Sequence, residues 1–565
     1  MSRRAASRLV AALAVLGVLW LVRPVFHGIV LFFFVNPLVW FPPLAVLVIG
    51  ALATTLAGAR DPWARSRTPA VMARYPRQSL RRLEPRERLV LAMAGVFFLL
   101  GAFLNGPLIA RSIYANTVYR QIPNLPTGGL VRLVPREVAV QLASSGFNSP
   151  TERLTDFHIV RTPRGLAWTA LRTPDGLVRT FIKKSEGLVS LAASSTERRV
   201  FSADARLQVA PGLRITDNLR WRLLKQRYLI ELAEPNAIQD ARGRPLILVP
   251  YLSYKGLLVR RPVLGGAFVV YPDGRIEDLS PEEARRRPEI AGSGRLFPDE
   301  LARRIQDAYA YKRGILNNFF LHEEQTQITD TETNPQPYLI DFGPRGSKWV
   351  TVAEPYGRAF AMNAIFLTDS VTGSTEIWRV PGNESLNGNR RAIQTVRSVS
   401  IPGIVFSDVA VEAQDGSSDD APRVPDAGGG RFRVVEPRPV FVGRRLVYLV
   451  SIIPESANSV SKSVIVDAAR NKVVAIFNND TDPGADAKTL RYLATGELPT
   501  GSGPDGGGAG APERAPPDGP PPRLTSRPPA GRELERRLDR LIRQQERVLR
   551  DAQALRESLR GAGGR

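Results

Sequence analysis

Residues 89–110 read LVLAMAGVFFLLGAFLNGPLIA, an uninterrupted run of 22 residues without a charge. As a helix that rises ~1.5 Å per residue, this run is long enough to cross a ~30 Å hydrocarbon layer. About 450 residues of mixed polar sequence follow it, and they contain no comparable run. The run therefore predicts the last membrane crossing, and its orientation determines on which side the large C-terminal part of the chain lies.

Two further apolar segments precede this run. Residues 9–22 follow three arginines, as in a signal peptide, but Arg23-Pro24 stands where a cleavage site of small residues would be expected. We interpret residues 9–35 as one long, kinked span, because proline disrupts the hydrogen bonding of a helix. Residues 37–57 predict a second span, joined to the first by a tight turn at Asn36-Pro37. Three spans are thus expected, at about 9–35, 37–57 and 89–110.

Arginines predict the orientation of these spans. The loop 58–88 has nine Arg against three acidic residues, and the N-terminal tail has three Arg and no acid. Positive charge near membrane segments favours the cytoplasmic side. Three spans place both segments in the cytoplasm and residues 112–565 outside it. A four-span alternative, with Arg23 at a turn, needs two crossings of fewer than 15 residues.

Composition excludes several kinds of site. The net charge is +23, and residues 1–111 supply nearly half of it, with 14 Arg against 3 acids. Charge placed in this way indicates membrane topology or contact with anionic lipid rather than nucleic-acid binding. The chain has no cysteine, which excludes disulfides, thiolate metal sites and a cysteine nucleophile.

Arg23 and His27 fall inside the first predicted span, four residues apart on one helical face. A charged residue within a bilayer is costly, so this pair is a candidate for a working intramembrane site. The alternative is that the helix breaks at Pro24 and Arg23 extends to the interface, or that the segment is partly interfacial.

Four aspartates mark an internal repeat in residues 112–495. Each lies in a turn between two strand-like runs, and the spacings between Asp175, Asp273, Asp369 and Asp467 are 98, 96 and 98 residues. Asp-Gly at the first two positions predicts a tight hairpin, and the other two have a longer Asp-x-x-x-Gly/Asn turn. Another strand-like run and a helix-like stretch precede each hairpin. The expected unit is a helix packed on a small antiparallel sheet, which makes the fold class α+β.

The last two hairpins, IFLTDSVTGSTEIW (365–378) and VIVDAARNKVVAIF (464–477), carry a family resemblance. They resemble the V-D-x-x-T-G-x-V hairpin of PepSY modules and, more broadly, PepSY and cystatin-like α+β modules. The first two units depart from that pattern at the turn. The resemblance implies a domain outside the membrane of a bacterial envelope protein, one that binds, inhibits or scaffolds rather than catalyses.

The C-terminal part has a different composition. Residues 412–430 form an acidic, Gly/Pro-rich insertion that we expect to be a solvated, disordered loop, and residues 496–531 read as a Gly/Pro linker. Beyond the linker, residues 532–560 predict a coiled coil that serves self-association or binding to a protein partner. A single amphipathic helix on an anionic surface is the alternative. The heptad positions are Leu534, Leu538, Leu541, Gln545, Val548, Ala552, Leu555 and Leu559.

No catalytic motif or cofactor site emerges from the sequence. His322-Glu-Glu-Gln lacks the second histidine of a zinc protease motif, and His158 and His322 are interpreted as structural. Asp480, Asp482 and Asp486 cluster after a strand and could bind Ca²⁺, although a solvated turn explains them as well.

These observations favour a non-enzymatic, multi-pass bacterial membrane protein with a large extracytoplasmic binding or scaffolding domain. Its expected partners are the lipid bilayer and an envelope protein or cell-wall ligand, and not nucleic acid. The alternative is an accessory subunit of a membrane transport or secretion complex. A third possibility, an envelope hydrolase, would need a site assembled from Asp and Glu alone.

Overall fold

The computed structural model describes Gly17, Trp20 and residues 22–59 and 85–498, except for 127–128, 130, 148, 163, 198, 331–335, 358–360, 383, 408–430 and 444. The chain divides into two compact units, Met1–Gly506 and Gly507–Arg565. The second unit, most of the predicted linker, the coiled coil, the acidic insertion and most of the basic loop lie outside the described residues.

Three apolar helices and a short strand open the described chain. They are α1 Val22–Val35, α2 Pro37–Ala59, α3 Pro85–Ala115 and β1 Tyr119–Gln121. Among the described residues, only α3 is by itself long and apolar enough to cross a membrane. Val22–Val35 and Pro37–Ala53 pass the same test only as a pair, with a bend of 75° between them. The predicted tight turn at Asn36-Pro37 is, in the structure, this bend of 75° between α1 and α2.

Helices α2 and α3 pack against each other in opposite directions. Asn105 donates a hydrogen bond from Nδ2 to Asn36 Oδ1 at 2.6 Å, near the start of α2 and towards the end of α3. A Cβ on Gly101 would meet Leu38, and a Cβ on Gly50 would meet Val90. Small residues at these crossing points let the two backbones approach closely, as in helix pairs in membranes.

The rest of the described chain is a mixed α+β structure of four successive units. Unit 1 (residues 136–207) contains α4 Arg136–Gly146, β2 Glu152–Thr162, β3 Gly165–Pro174, α5 Arg179–Ile182, β4 Ser185–Ala192 and β5 Val200–Leu207. Unit 2 (219–279) contains α6 Leu219–Gln226, β6 Glu231–Leu232, β7 Asn236–Gln239, β8 Pro245–Lys255, β9 Arg261–Val270 and β10 Ile276–Leu279. Two short helices, α7 Pro281–Arg286 and α8 Pro288–Ser293, connect it to unit 3.

Units 3 and 4 complete the domain. Unit 3 (299–379) contains α9 Asp299–Ala308, β11 Thr326–Ile328, β12 Tyr338–Asp341, β13 Ser347–Pro355, β14 Ala361–Met362, β15 Ala364–Asp369 and β16 Thr375–Arg379. Unit 4 (386–495) contains β17 Leu386–Asn387, α10 Asn389–Ser398, β18 Val405–Phe406, β19 Arg431–Val442, β20 Arg445–Pro454, β21 Lys462–Asp467, β22 Lys472–Asn478 and α11 Ala485–Thr495.

Each unit is built on a four-stranded antiparallel meander that follows a helix. The meanders are β2-β3-β4-β5, β7-β8-β9-β10, β12-β13-β15-β16 and β19-β20-β21-β22. Short edge strands extend three of them: β6 on β8, β11 on β13, and β18 on β19. Strand β1 pairs in parallel with β16, so the chain passes from α3 into the edge of unit 3 within a few residues.

Three of the four marked aspartates lie where the third strand of a meander turns into the fourth. Asp273 and Gly274 form the tight turn between β9 and β10. Asp369 Oδ1 accepts backbone N–H bonds at 3.0 and 2.7 Å, Asp467 Oδ1 accepts two at 2.9 Å, and both turns end in the left-handed region.

The expected hairpin turn at Asp175 is wrong in its detail. Strands β3 and β4 are antiparallel neighbours, but residues 175–184 connect them and contain α5. This connection joins the second and third strands of unit 1, not the third and fourth. The first spacing of 98 residues therefore does not link equivalent positions.

Hydrophobic cores join the units to one another. Units 1 and 2 share a core that includes Leu188 and Phe268, and units 3 and 4 share one that includes Leu367 and Tyr448. A third core takes residues from all four units. The four units therefore pack as one body.

Candidate ligand-binding cavity

A β-bulge in the first strand of unit 4 places a buried carboxylate beside two arginines. The register of β19 against β20 shifts between Val435 and Arg438, and Glu436 there has a φ of 48°. The first strand of unit 1 has the same irregularity, with Asp156 at a φ of 57°. Bulges of this kind redirect side chains and are common next to functional sites.

Glu436 is 1 % exposed and accepts bonds from Arg132 Nη2 at 2.6 Å and from the Arg136 backbone N–H at 2.9 Å. Arg438 lies 3.8 Å from the same carboxylate and donates to Ser451 Oγ at 2.7 Å and to the Arg132 carbonyl. Burial lowers the pKa of the Arg438 guanidinium to about 10, so it stays charged at neutral pH. Two buried cations thus share one carboxylate.

These arginines line a cavity of about 670 Å³ between units 3 and 4, a size typical of small-molecule sites. Its walls are mostly apolar, with Leu339, Val350, Leu367, Val440, Phe441 and Leu493 among them. The Nε atoms of Arg132 and Arg438 are buried and have no hydrogen-bond partner within the described part of the chain.

A second polar group lines the same cavity. The buried carboxylate of Asp341 accepts the Gly343 N–H at 2.9 Å and lies 3.3 Å from Arg161 Nε. Of the charged residues that line the cavity, Arg132 and Arg438 are cations and Asp341 is an anion. The cavity is therefore suited to an apolar ligand with an anionic end.

A separate buried cluster surrounds His158, for which the sequence predicts a structural role. Arg295 Nη2 lies 3.1 Å from His158 Nδ1, and Glu234 Oε2 lies 3.3 Å from Nε2. Because Arg295 can only donate, Nδ1 accepts and Nε2 carries the proton. Burial, and next the charge of Arg295, place the pKa of His158 well below its usual value. His158 is thus a neutral partner of a buried arginine.

Arg23 and His27 do lie on one face of α1, but that face packs on unit 2. Arg23 Nη2 donates to the Lys225 carbonyl at 2.5 Å, and His27 Nε2 lies 2.9 Å from the Ile230 carbonyl oxygen. Tyr228 Oη donates to the Arg23 carbonyl at 2.7 Å. Apolar residues of α1 are exposed instead: Val25, Phe26, Ile29, Val30, Phe32 and Phe33. Both residues therefore contact unit 2, and their role as intramembrane polar groups stays a prediction.

The three aspartates that could bind Ca²⁺ each contact a different side chain. Asp482 pairs with Lys488 at 2.6 Å, Asp480 accepts from Ser461, and Asp486 accepts from Thr196 Oγ1 at 3.0 Å. Within the described residues, no group of three or more His, Asp or Glu side chains is placed to hold a metal ion. His322 stacks on Tyr356 at 3.9 Å and contacts Gln325 at 2.6 Å.

Sequence reasoning missed Arg132, Glu436, Arg438 and Arg295. A signal for two of them exists, because Glu436-Pro-Arg438 interrupts an otherwise apolar run in β19. The chain has 68 arginines. The packing between units determines which of them are buried, and a local sequence pattern does not record that packing.

The geometry defines an α+β protein with an apolar helix pair and an interior cavity. No family model matches the chain, and neither the curated proteins nor the solved structures provide a match.

Proposed function

We propose that this protein is a membrane-anchored, non-enzymatic binding protein of the bacterial cell envelope. Its four-unit domain lies outside the cytoplasm and takes an apolar ligand with an anionic end into the cavity between units 3 and 4. The observation that carries the proposal is the pair of buried arginines, Arg132 and Arg438, that line this mostly apolar cavity.

Two antiparallel helices support the membrane anchor. α2 has 23 residues and α3 has 31, and their exposed side chains are almost entirely apolar over the shared length. Crossing as a pair, they leave the loop 58–88, with its nine arginines, on the side opposite the domain. Positive charge favours the cytoplasm for that loop and the exterior for the domain. This arrangement has two crossings: one by α2 together with the bent α1, which lies towards the domain, and one by α3.

The domain architecture supports a binding role. A helix followed by a four-stranded antiparallel meander is the arrangement that the PepSY and cystatin-like resemblance implies, and four such units build one body around shared cores. Such a body provides interior surfaces between units, where a ligand is enclosed on several sides.

A plug at the cavity mouth tests the proposal. Ala494 is exposed on α11 and lines the cavity, so Ala494→Trp should block it without overpacking the core. The neighbouring variant Thr495→Trp is the matched control, because Thr495 does not line the cavity. Calorimetric titration of the full chain in lipid nanodiscs uses octanoate as the probe, with the heat from empty discs subtracted.

We expect octanoate to bind the wild type and Thr495→Trp with the same Kd, and Ala494→Trp at least tenfold more weakly. Octanol should also bind more weakly than octanoate, because it offers no charge to the arginines. Equal octanoate affinity in the plugged and control variants would exclude this cavity as the site.

An accessory subunit of a membrane complex is a second candidate, favoured by one surface feature. Leu177, Val178, Phe181 and Ile182, around α5, are 55–73 % exposed and form an apolar patch. Patches of this kind often mark interaction sites. A cellular phenotype lost in Phe181→Asp but kept in Ala494→Trp would favour this function over ligand binding.

A further inference from the structure

A depression of about 640 Å³ lies where α1 and α3 meet units 2 and 3. Its helical walls are apolar and include Leu31 and Phe32 of α1 and Ile109 and Ala110 of α3. These α3 residues are the last of the apolar run 89–110. The depression therefore begins where the helix pair would leave the hydrocarbon layer.

The opposite wall of the depression is polar and comes from the domain. Arg304 donates to both carboxylate oxygens of Glu231, at 2.8 and 3.2 Å, and Tyr254 Oη also donates to Glu231. The guanidinium of Arg260 stacks over the Phe34 ring at 3.9 Å. Within the part of the chain that the structure describes, no carboxylate lies within ion-pair distance of Arg260, so this cation can accept an anionic partner.

Exposed apolar residues lie on the domain, in the loop that precedes Arg260 and in the short helical segment around Asn317–Leu321. Leu257 lies beside Arg260 and is 82 % exposed, and Leu316 and Phe320 are 72 % and 75 % exposed. The neighbouring Phe319 ring stacks on Phe103 of α3 at a centroid distance of 5.3 Å. Exposed apolar residues next to an apolar span are stable in contact with lipid and costly in water. The depression thus opens at the boundary between hydrocarbon and headgroups.

From this arrangement we infer that the depression binds a membrane phospholipid. The phosphate faces Arg260, and the acyl chains lie along the apolar walls of α1 and α3. A guanidinium offers paired donors that match phosphate oxygens, and its stacking on Phe34 holds it in place. The inference rests on the membrane location proposed above, but not on the cavity between units 3 and 4.

Glycine substitutions allow the depression to be filled with a matched control. Gly106 lines it, and a Cβ added there meets nothing within 4 Å. Gly95 lies on the same helix in equally open space, away from the depression. Gly106→Leu should therefore occupy the lipid site, whereas Gly95→Leu makes the same chemical change elsewhere. Arg260→Gln and its neighbour Arg261→Gln form a second pair, because Arg261 does not line the depression.

The experiment is native mass spectrometry of the full chain, extracted from membranes in a mild detergent. The mass spectrum gives the number of phospholipids that the protein retains. Phosphatidylglycerol, diacylglycerol or inorganic phosphate is then added to test which of them binds. We expect the wild type, Gly95→Leu and Arg261→Gln to retain one phospholipid, and Gly106→Leu and Arg260→Gln to retain at least tenfold less. Diacylglycerol and inorganic phosphate should not replace the bound phospholipid, because diacylglycerol lacks the phosphate and inorganic phosphate lacks the acyl chains.

Equal retention in Gly106→Leu and Gly95→Leu, or equal binding of diacylglycerol, would overturn the inference. Either result, with the protein still in the membrane fraction, leaves the membrane anchor standing. Recovery of the protein outside the membrane fraction would instead contradict the proposed anchor.

Discussion

Buried charges distinguish the interior of this domain from an ordinary apolar core. Arg132, Arg438 and Glu436 are all nearly inaccessible, and Arg295 is buried beside His158. Removing one partner of a buried ion pair typically costs ~3–5 kcal/mol, whereas an apolar set of the same volume is often as stable. Stability alone therefore poorly explains why these charged side chains are buried. The binding of a ligand at the cavity is consistent with their presence.

His158 should make stability depend on pH. Its folded pKa lies well below the value in the unfolded chain, ~6.5, so the unfolded state binds the proton first as pH falls. The stabilisation is therefore complete above about pH 6.5 and decreases below it, by up to ~1.4 kcal/mol per pH unit. Comparing the free energy of unfolding of wild type and His158→Gln at pH 7.5, 6.5 and 5.5 measures this dependence.

In His158→Gln, the loss between pH 6.5 and 5.5 should be smaller by the contribution of one proton. His322→Gln, in unit 3, is the control for the removal of a histidine from another part of the domain. An identical slope in wild type and His158→Gln would show that His158 is not kept neutral in the folded state.

Turns and helix contacts show how local signals determine single elements. Asp369 and Asp467 hold the same turn because each accepts two backbone N–H bonds within the following three residues. The Asp-Gly signal at Asp175 fails because the next residues form α5, with Thr180 Oγ1 bonded to the Leu177 carbonyl at 2.7 Å. The hydrogen bonds of a turn join residues within about five positions of one another, so the local sequence predicts them. The length of a connection depends instead on where its two strands pair in the sheet.

The crossing of α2 and α3 should be sensitive to a single methyl group. A Cβ on Gly101 would lie 2.5 Å from the Leu38 carbonyl oxygen, so Gly101→Ala must push the helices apart. Overpacking of this kind typically costs ~1–3 kcal/mol. Thermal unfolding of the full chain in one detergent should show a lower Tm for Gly101→Ala.

Gly95→Ala is the control for that change. Gly95 lies in open space on the same helix, and alanine favours a helix over glycine by ~0.5–1 kcal/mol. Its Tm should therefore equal or exceed that of the wild type. If both variants behaved alike, the close approach at Gly101 would not exist.

Topology is the property of the whole molecule that the proposal depends on most. The absence of native cysteine allows single-cysteine labelling with a membrane-impermeant maleimide in intact cells. Ala469→Cys, at an exposed turn of unit 4, should react, and Ser66→Cys, in the basic loop, should react only after lysis. The reverse pattern would place the domain in the cytoplasm.

Ser2→Cys then separates the two arrangements of the N-terminus. Three spans predict that it is protected, as the arginine distribution alone suggested. Two crossings, with α1 against unit 2, predict that it is labelled together with Ala469→Cys. The contacts of Arg23 and His27 with unit 2 favour the second outcome.

The sequence by itself determined the α+β class, the three described turns that hold their own hydrogen bonds, and the apolar segments. These depend on properties of neighbouring residues: alternation of apolar side chains, turn chemistry and uninterrupted apolarity. Only the tertiary structure decided that α1 lies against unit 2, that β1 joins the sheet of unit 3, and that Arg132 and Arg438 share Glu436. Residues 132 and 436 lie 304 positions apart, and no local pattern records such a contact. Packing between units sets which charges are buried together, and the candidate site therefore exists only in the folded domain.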